Sequence, residues 1–72
     1  MKYDVWLEGV ASQGDGQKAC FLGTVNAVNF KKACKVALIN NNYPIQHYNE
    51  QENTFWIQRF FDNEKEARKK NG

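Results

Sequence analysis

Apolar and polar side chains alternate through residues 2–10. Tyr3, Val5 and Leu7 fall on one side, Lys2, Asp4, Trp6 and Glu8 on the other. That two-residue period predicts a half-buried strand. Residues 11–18, with Gly14 and Gly16 free to adopt positive φ, predict a turn, and residues 19–27 a second strand, so the chain opens with a hairpin. The period then changes. Phe30, Ala33, Cys34, Ala37 and Leu38 recur at i, i+3, i+4, i+7 and i+8, while Lys31, Lys32 and Lys35 lie on other faces. This pattern predicts an amphipathic helix of about three turns. Asn29 is its expected N-cap, and Asn40-Asn41-Asn42 with Pro44 its stop signal.

Residues 45–48 predict another strand and residues 49–53 a polar turn. Residues 54–61, Thr-Phe-Trp-Ile-Gln-Arg-Phe-Phe, are rich in aromatic and β-branched side chains and predict a strand. Asp62 or Asn63 then caps a short second helix. Asn63 and Glu66 have the spacing of a capping box, and Glu64–Arg68 and Glu66–Lys70 are i,i+4 pairs with the acid leading. Ala67 is the only apolar residue of this helix, so it should dock weakly. The order ββαββα predicts one α+β domain over residues 1–72. It consists of a small antiparallel sheet of about four strands, a main helix on one face and a short C-terminal helix.

Carrying the alternation through every strand divides the sheet into two faces. Tyr3, Val5, Leu7, Phe21, Val25, Phe55, Ile57 and Phe61, with Gly23 and Arg59, form the expected core face beneath the main helix. Trp6, Leu22, Trp56 and Phe60 fall on the other, among Lys2, Asp4, Glu8, Cys20, Thr24, Asn26, Thr54 and Gln58. One helix cannot cover both sides of a sheet. Unless the second helix lies over it, the second face is an aromatic contact surface for a protein partner or for a second copy of the chain.

Composition gives weight to that surplus. In 72 residues and 8.4 kDa there are two Trp, three Tyr and five Phe. A chain this short forms one core and buries only about 60% of its unfolded surface. The apolar fraction of 42% and net charge of +2 exclude a disordered chain. No apolar run approaches ~18 residues, and no basic-then-apolar leader is present, so no membrane span and a cytoplasmic setting are expected. Cys20 and Cys34 are too few for a disulfide scaffold.

Catalytic and metal chemistry find little support. His47 is the only imidazole, Cys34 lies on the apolar helix stripe, and no nucleophile signature surrounds either cysteine. Cys20, Cys34 and His47 lack the close pairing of a zinc site, so neither metal nor cofactor is expected. Asp4 and Glu8 are about 13 Å apart along one strand, too far for a glycosidase pair. Gly14-Asp15-Gly16 lacks the remaining elements of a phosphate loop. The alternative to a protein partner is single-stranded nucleic acid, with sheet aromatics stacking bases and Lys2, Lys31, Lys32 and Lys35 holding phosphates. It ranks second because the helix lysines lie across the sheet from the surplus aromatics.

The segments Tyr3-Asp4-Val5-Trp6-Leu7-Glu8-Gly9, Phe30…Ala33-Cys34 and Trp56…Arg59-Phe60-Phe61-Asp62-Asn63-Glu64…Ala67-Arg68 resemble a family of short proteins. The family is associated with phage, plasmids and other mobile elements of Gram-positive and gut bacteria. Val10 stands where that family has an aromatic residue, and Lys70-Asn71-Gly72 where it tends to end in Phe-Gly. No activity or catalytic residue comes with the resemblance. It implies a cytoplasmic bacterial or phage setting, where small proteins often act as stoichiometric binders, including inhibitors of host systems such as CRISPR nucleases. The expectation is therefore a non-enzymatic binding module acting through Trp6, Trp56, Phe60 and Leu22.

Overall fold

The computed structural model describes residues 1–11 and 16–72; the turn expected at Gly14 lies outside them. Strands β1 (Lys2–Leu7) and β2 (Cys20–Asn26) form the first hairpin, with a further bridge between Val10 and Gln17. Helix α1 spans Phe30–Asn40. A 3-10 turn, Ile45–His47, leads into β3 (Tyr48–Asn49), β4 (Thr54–Phe55), β5 (Gln58–Phe61) and helix α2 (Glu64–Ala67). Every pairing is antiparallel and the strand order is β2-β1-β5-β4-β3. The first hairpin and the β3–β5 meander therefore meet at β1 and β5, and α1 carries the chain from one edge of the sheet to the other. The α+β class is as expected, with five strands in place of about four. Only Tyr48 of residues 45–48 enters a strand.

The ends of α1 follow directly from its sequence. The Asn29 side chain accepts from the Lys32 N–H at 2.9 Å, which satisfies an N–H that has no partner within the helix. At the other end Asn42 adopts φ 61, its N–H donates to the Ile39 carbonyl at 3.1 Å, and the Tyr43 N–H donates to the Leu38 carbonyl at 2.9 Å. This crossed pair is a Schellman cap, with asparagine taking the left-handed position that glycine usually fills. The Asn41 amide also donates to the Leu22 carbonyl at 2.7 Å, fixing the helix end to β2.

The core lies between α1 and one face of the sheet. Val5, Leu7, Leu22, Val25, Phe55 and Phe60 meet Ala33, Cys34, Ala37 and Leu38, with Tyr3, Phe30, Tyr43 and Tyr48 packed around them. This corrects the expected division of faces. Leu22 and Phe60 are core residues, whereas Phe21 is 48% exposed, Ile57 is exposed and Phe61 is half-buried.

Two breaks in alternation cause the exchange. Val5 pairs with Gly23, but Trp6 pairs with Phe21, so Leu22 is an extra residue in β2. Gly23, at φ 119, supplies the backbone freedom that such a bulge uses. The second break is a chain reversal at Trp56–Ile57 between the paired residues Phe55 and Gln58, inside the stretch expected to be one strand. Each break inverts the side-chain phase beyond it.

Gly9 sits where the chain leaves β1. A Cβ at this position would approach the Gln17 carbonyl oxygen to 2.7 Å and the Ala19 nitrogen to 3.0 Å, both backbone atoms. Gly9→Ala is therefore expected to destabilise the fold by about 1–3 kcal/mol, the usual range for overpacking, read as a lower urea midpoint.

Candidate functional site

The four residues expected to form one contact surface do not meet. Leu22 and Phe60 are 6% and 7% exposed, inside the core. Trp6 is on β1, an interior strand, on the sheet face away from α1, and Trp56 is at the β4–β5 reversal.

On the outer face Trp6 pairs with Phe21 of β2 and Phe61 of β5, so three aromatic side chains cross three adjacent strands. The Trp6 and Phe21 ring centroids are 5.0 Å apart. Helix α2 covers part of this row. Ala67 is fully buried, and the Arg68 guanidinium lies 5.4 Å from the Trp6 ring centroid, where the ring's negative face attracts a cation. Arg68 is held in turn by Glu64 at 2.7 Å, the i,i+4 pair expected from sequence. Lys70 lies beyond the end of α2, and no ion pair joins it to Glu66 among the described residues. The Asn63 cap accepts from the Glu66 N–H at 2.8 Å. Trp6 is thus half-buried under its own chain.

The β4–β5 tip is built differently. A two-residue hairpin turn usually carries Asn-Gly or Gly, because φ must become positive. Here the residues are Trp56, at φ 56, and Ile57. A bulky side chain in the left-handed region costs about 1–2 kcal/mol. Two contacts brace it: the Trp56 N–H donates to the His47 carbonyl at 3.0 Å, and the indole stacks on the His47 ring at 3.9 Å between centroids. Even so, Trp56 is 60% and Ile57 79% exposed. Beside the tip is a hollow of about 160 Å³, bordered by Ile57, Gln58, Val10, Ala11 and Lys70. Alternation gave Trp56 an exposed position, but gave no sign that it turns the chain or that Ile57 would join it outside.

Both aromatic regions adjoin one ion pair. The Glu8 carboxylate is buried, and Arg59 Nη2 donates to it at 2.6 Å. Arg59 Nε donates to both carboxylate oxygens at 3.2 Å, and the Arg59 backbone N–H adds a bond of 3.0 Å. The Arg59 guanidinium also lies 5.3 Å from the Phe61 ring centroid. Hydrogen bonding from Arg59 outweighs the opposing effect of burial and holds the Glu8 carboxyl below the usual carboxylate range.

The remaining candidates separate clearly. Lys31, Lys32 and Lys35 border a groove on the α1 side, and by alternation Lys2 lies on the outer face. The sheet aromatics and the helix lysines therefore do not form the joint nucleic-acid surface of the sequence-based alternative. Cys20 is exposed at the sheet edge. Cys34 is fully buried, and burial pushes its thiol up to about 11, so thiolate is scarce near neutrality. Among the described residues no three of His, Cys, Asp and Glu gather as a metal site, and no helix is long and apolar enough to cross a membrane. Comparison with known proteins finds no matching family model, curated protein or solved structure.

Because the Glu8 carboxyl is held below its unfolded value, the stability it adds is present above that value and disappears as pH falls through the folded one. Urea midpoints measured from pH 7 down to about pH 3 should fall for the native chain. Glu8→Gln should start lower at neutral pH and fall less steeply. The two thiols should also differ: an aromatic disulfide reagent should modify Cys20 in the folded protein and Cys34 only after unfolding.

Proposed function

We propose that this chain is a non-enzymatic binding module that recognises a protein partner, with the β4–β5 tip as the inserted element. The observation that carries this reading is Trp56. A tryptophan occupies a left-handed turn position suited to asparagine or glycine, yet leaves more than half of its surface in solvent. The stack on His47 offsets part of that cost, but most of the indole stays in solvent, and strain of this kind concentrates where a protein makes contacts. Ile57 beside it is the most exposed large apolar side chain among the described residues. A rigid aromatic flanked by an aliphatic residue, with a hollow alongside, has the make-up of an interface hot spot. The half-covered row of Phe21, Trp6 and Phe61 supplies a second, flatter apolar area on the same module. The resemblance to phage- and plasmid-associated proteins supports a stoichiometric binder acting in the cytoplasm. An inhibitor of a host system such as a CRISPR nuclease is one form of that role.

Trp56→Asn separates folding from recognition, because asparagine tolerates the left-handed turn. It should leave stability within about 1 kcal/mol of the native chain's in urea, because relief of the left-handed strain offsets loss of the stack on His47. It should also weaken partner binding by at least about thirtyfold, the loss of a hot-spot side chain. Capture on the immobilised chain provides the binding readout, and light scattering tests whether the partner is a second copy. A variant that binds or self-associates as well as the native chain would overturn this reading.

A further inference from the structure

On the α1 side of the molecule lies an open groove of about 280 Å³. Lys31, Lys32, Lys35 and Val36 of α1 form one wall, Tyr48 and Glu50 the other. Three of the ten basic side chains and one of the eight acidic ones line it, which leaves seven of each sign over the rest of the chain. The whole formal net charge of +2 is therefore concentrated at this one concavity.

The placement is unfavourable for the helix itself. Lys31 and Lys35 are like charges at i,i+4, and Lys31 and Lys32 occupy a first turn that contains no acidic residue. No ion pair offsets these lysines among the described residues, where the pairs present are Arg59–Glu8 and Arg68–Glu64. Local choices that oppose stability without a structural gain are expected at functional positions. The opposite wall is fixed in advance. The Tyr48 hydroxyl donates to Asn53 Oδ1 at 2.7 Å, and its ring packs edge-on against Phe60 in the core at 6.2 Å.

A concavity with three cations on one wall, and an anchored aromatic ring beside a single carboxylate on the other, fits a ligand whose anionic end meets the lysines and whose planar end meets the ring. We propose that this groove binds a nucleotide, its phosphate held by Lys31, Lys32 and Lys35 and its base placed against Tyr48 and Val36. The volume, just below the roughly 300 Å³ lower bound of ordinary ligand sites, suits a group about the size of one nucleotide unit. That unit is either free or part of a single strand. The site shares no residue with the Trp56 tip, so either assignment can fail without the other.

The test is a titration of the ¹⁵N-labelled chain with adenosine monophosphate, inorganic phosphate and a short oligothymidylate, followed by amide shifts. Adenosine monophosphate should move Lys31, Lys32, Lys35 and Tyr48, and bind at least about tenfold tighter than inorganic phosphate, because the base adds a stacking contact. Lys31→Ala combined with Lys35→Ala should weaken it at least about tenfold through loss of two charge-assisted contacts. Folding should survive, since alanine is the better helix former. An oligothymidylate that binds tighter than the mononucleotide, with a log–log salt slope of about −0.7 per phosphate, identifies the strand as the source. A mononucleotide that binds as well or better identifies the free ligand. Three results would overturn the proposal: no shifts at these residues, binding no tighter than inorganic phosphate, or shifts that persist unchanged in the double variant.

Discussion

The junction between Glu8 and Arg59 makes one sheet out of two pieces. Among the described residues, the first hairpin and the β3–β5 meander share two residue pairs, Trp6 with Phe61 and Leu7 with Phe60. Immediately beyond them the Glu8 N–H donates to the Arg59 carbonyl at 2.8 Å, and the Gln58 amide donates to the Glu8 carbonyl at 2.8 Å. The carboxylate adds its bonds to the Arg59 side chain and backbone. A buried carboxylate left without a partner is strongly unfavourable, so this pair does more than attract. It penalises any other registration of β5 on β1. With that register set, Phe60 must enter the core and Phe61 must leave it, and the two aromatic regions take their positions from there.

What the chain showed in advance, and what it hid, divides along a physical line. The caps and apolar stripe of α1 were readable because they depend on residues three or four apart. The same holds for Asn63 and for the Glu64–Arg68 pair. Alternation exchanges residues between the faces of the sheet because it assumes an unbroken pleat, and the pleat breaks twice. Gly23 within a strand was a visible sign of the first break, since glycine there commonly marks a bulge. Nothing local announced the second, because Trp-Ile is among the least turn-like dipeptides. The reversal is imposed by pairing partners on either side and by His47, which lies nine residues earlier.

The candidate surfaces inherit this division. Alternation puts Trp6 and Trp56 on one face, but one is capped by an arginine and the other projects from a turn. Phe60 and Leu22, assigned to the same surface, instead hold it up from inside. Basic groups divide in the same way. Arg59 and Arg68 are engaged with the outer aromatics and with carboxylates, while the α1 lysines stand apart across the sheet. The exposed apolar tip and the lysine-lined groove therefore share no residue.

The bulge in β2 has a consequence for the molecule's company as well as for its core. A sheet that ends in a long straight strand offers its unpaired backbone to any passing strand, and so risks growing without limit. β2 is such a terminal strand, seven residues long, but its row of donors and acceptors is thrown out of step at Leu22–Gly23. The opposite edge, β3, is only two residues long. Among the described residues, neither border of the five-stranded sheet offers the long regular template that edge-to-edge pairing needs.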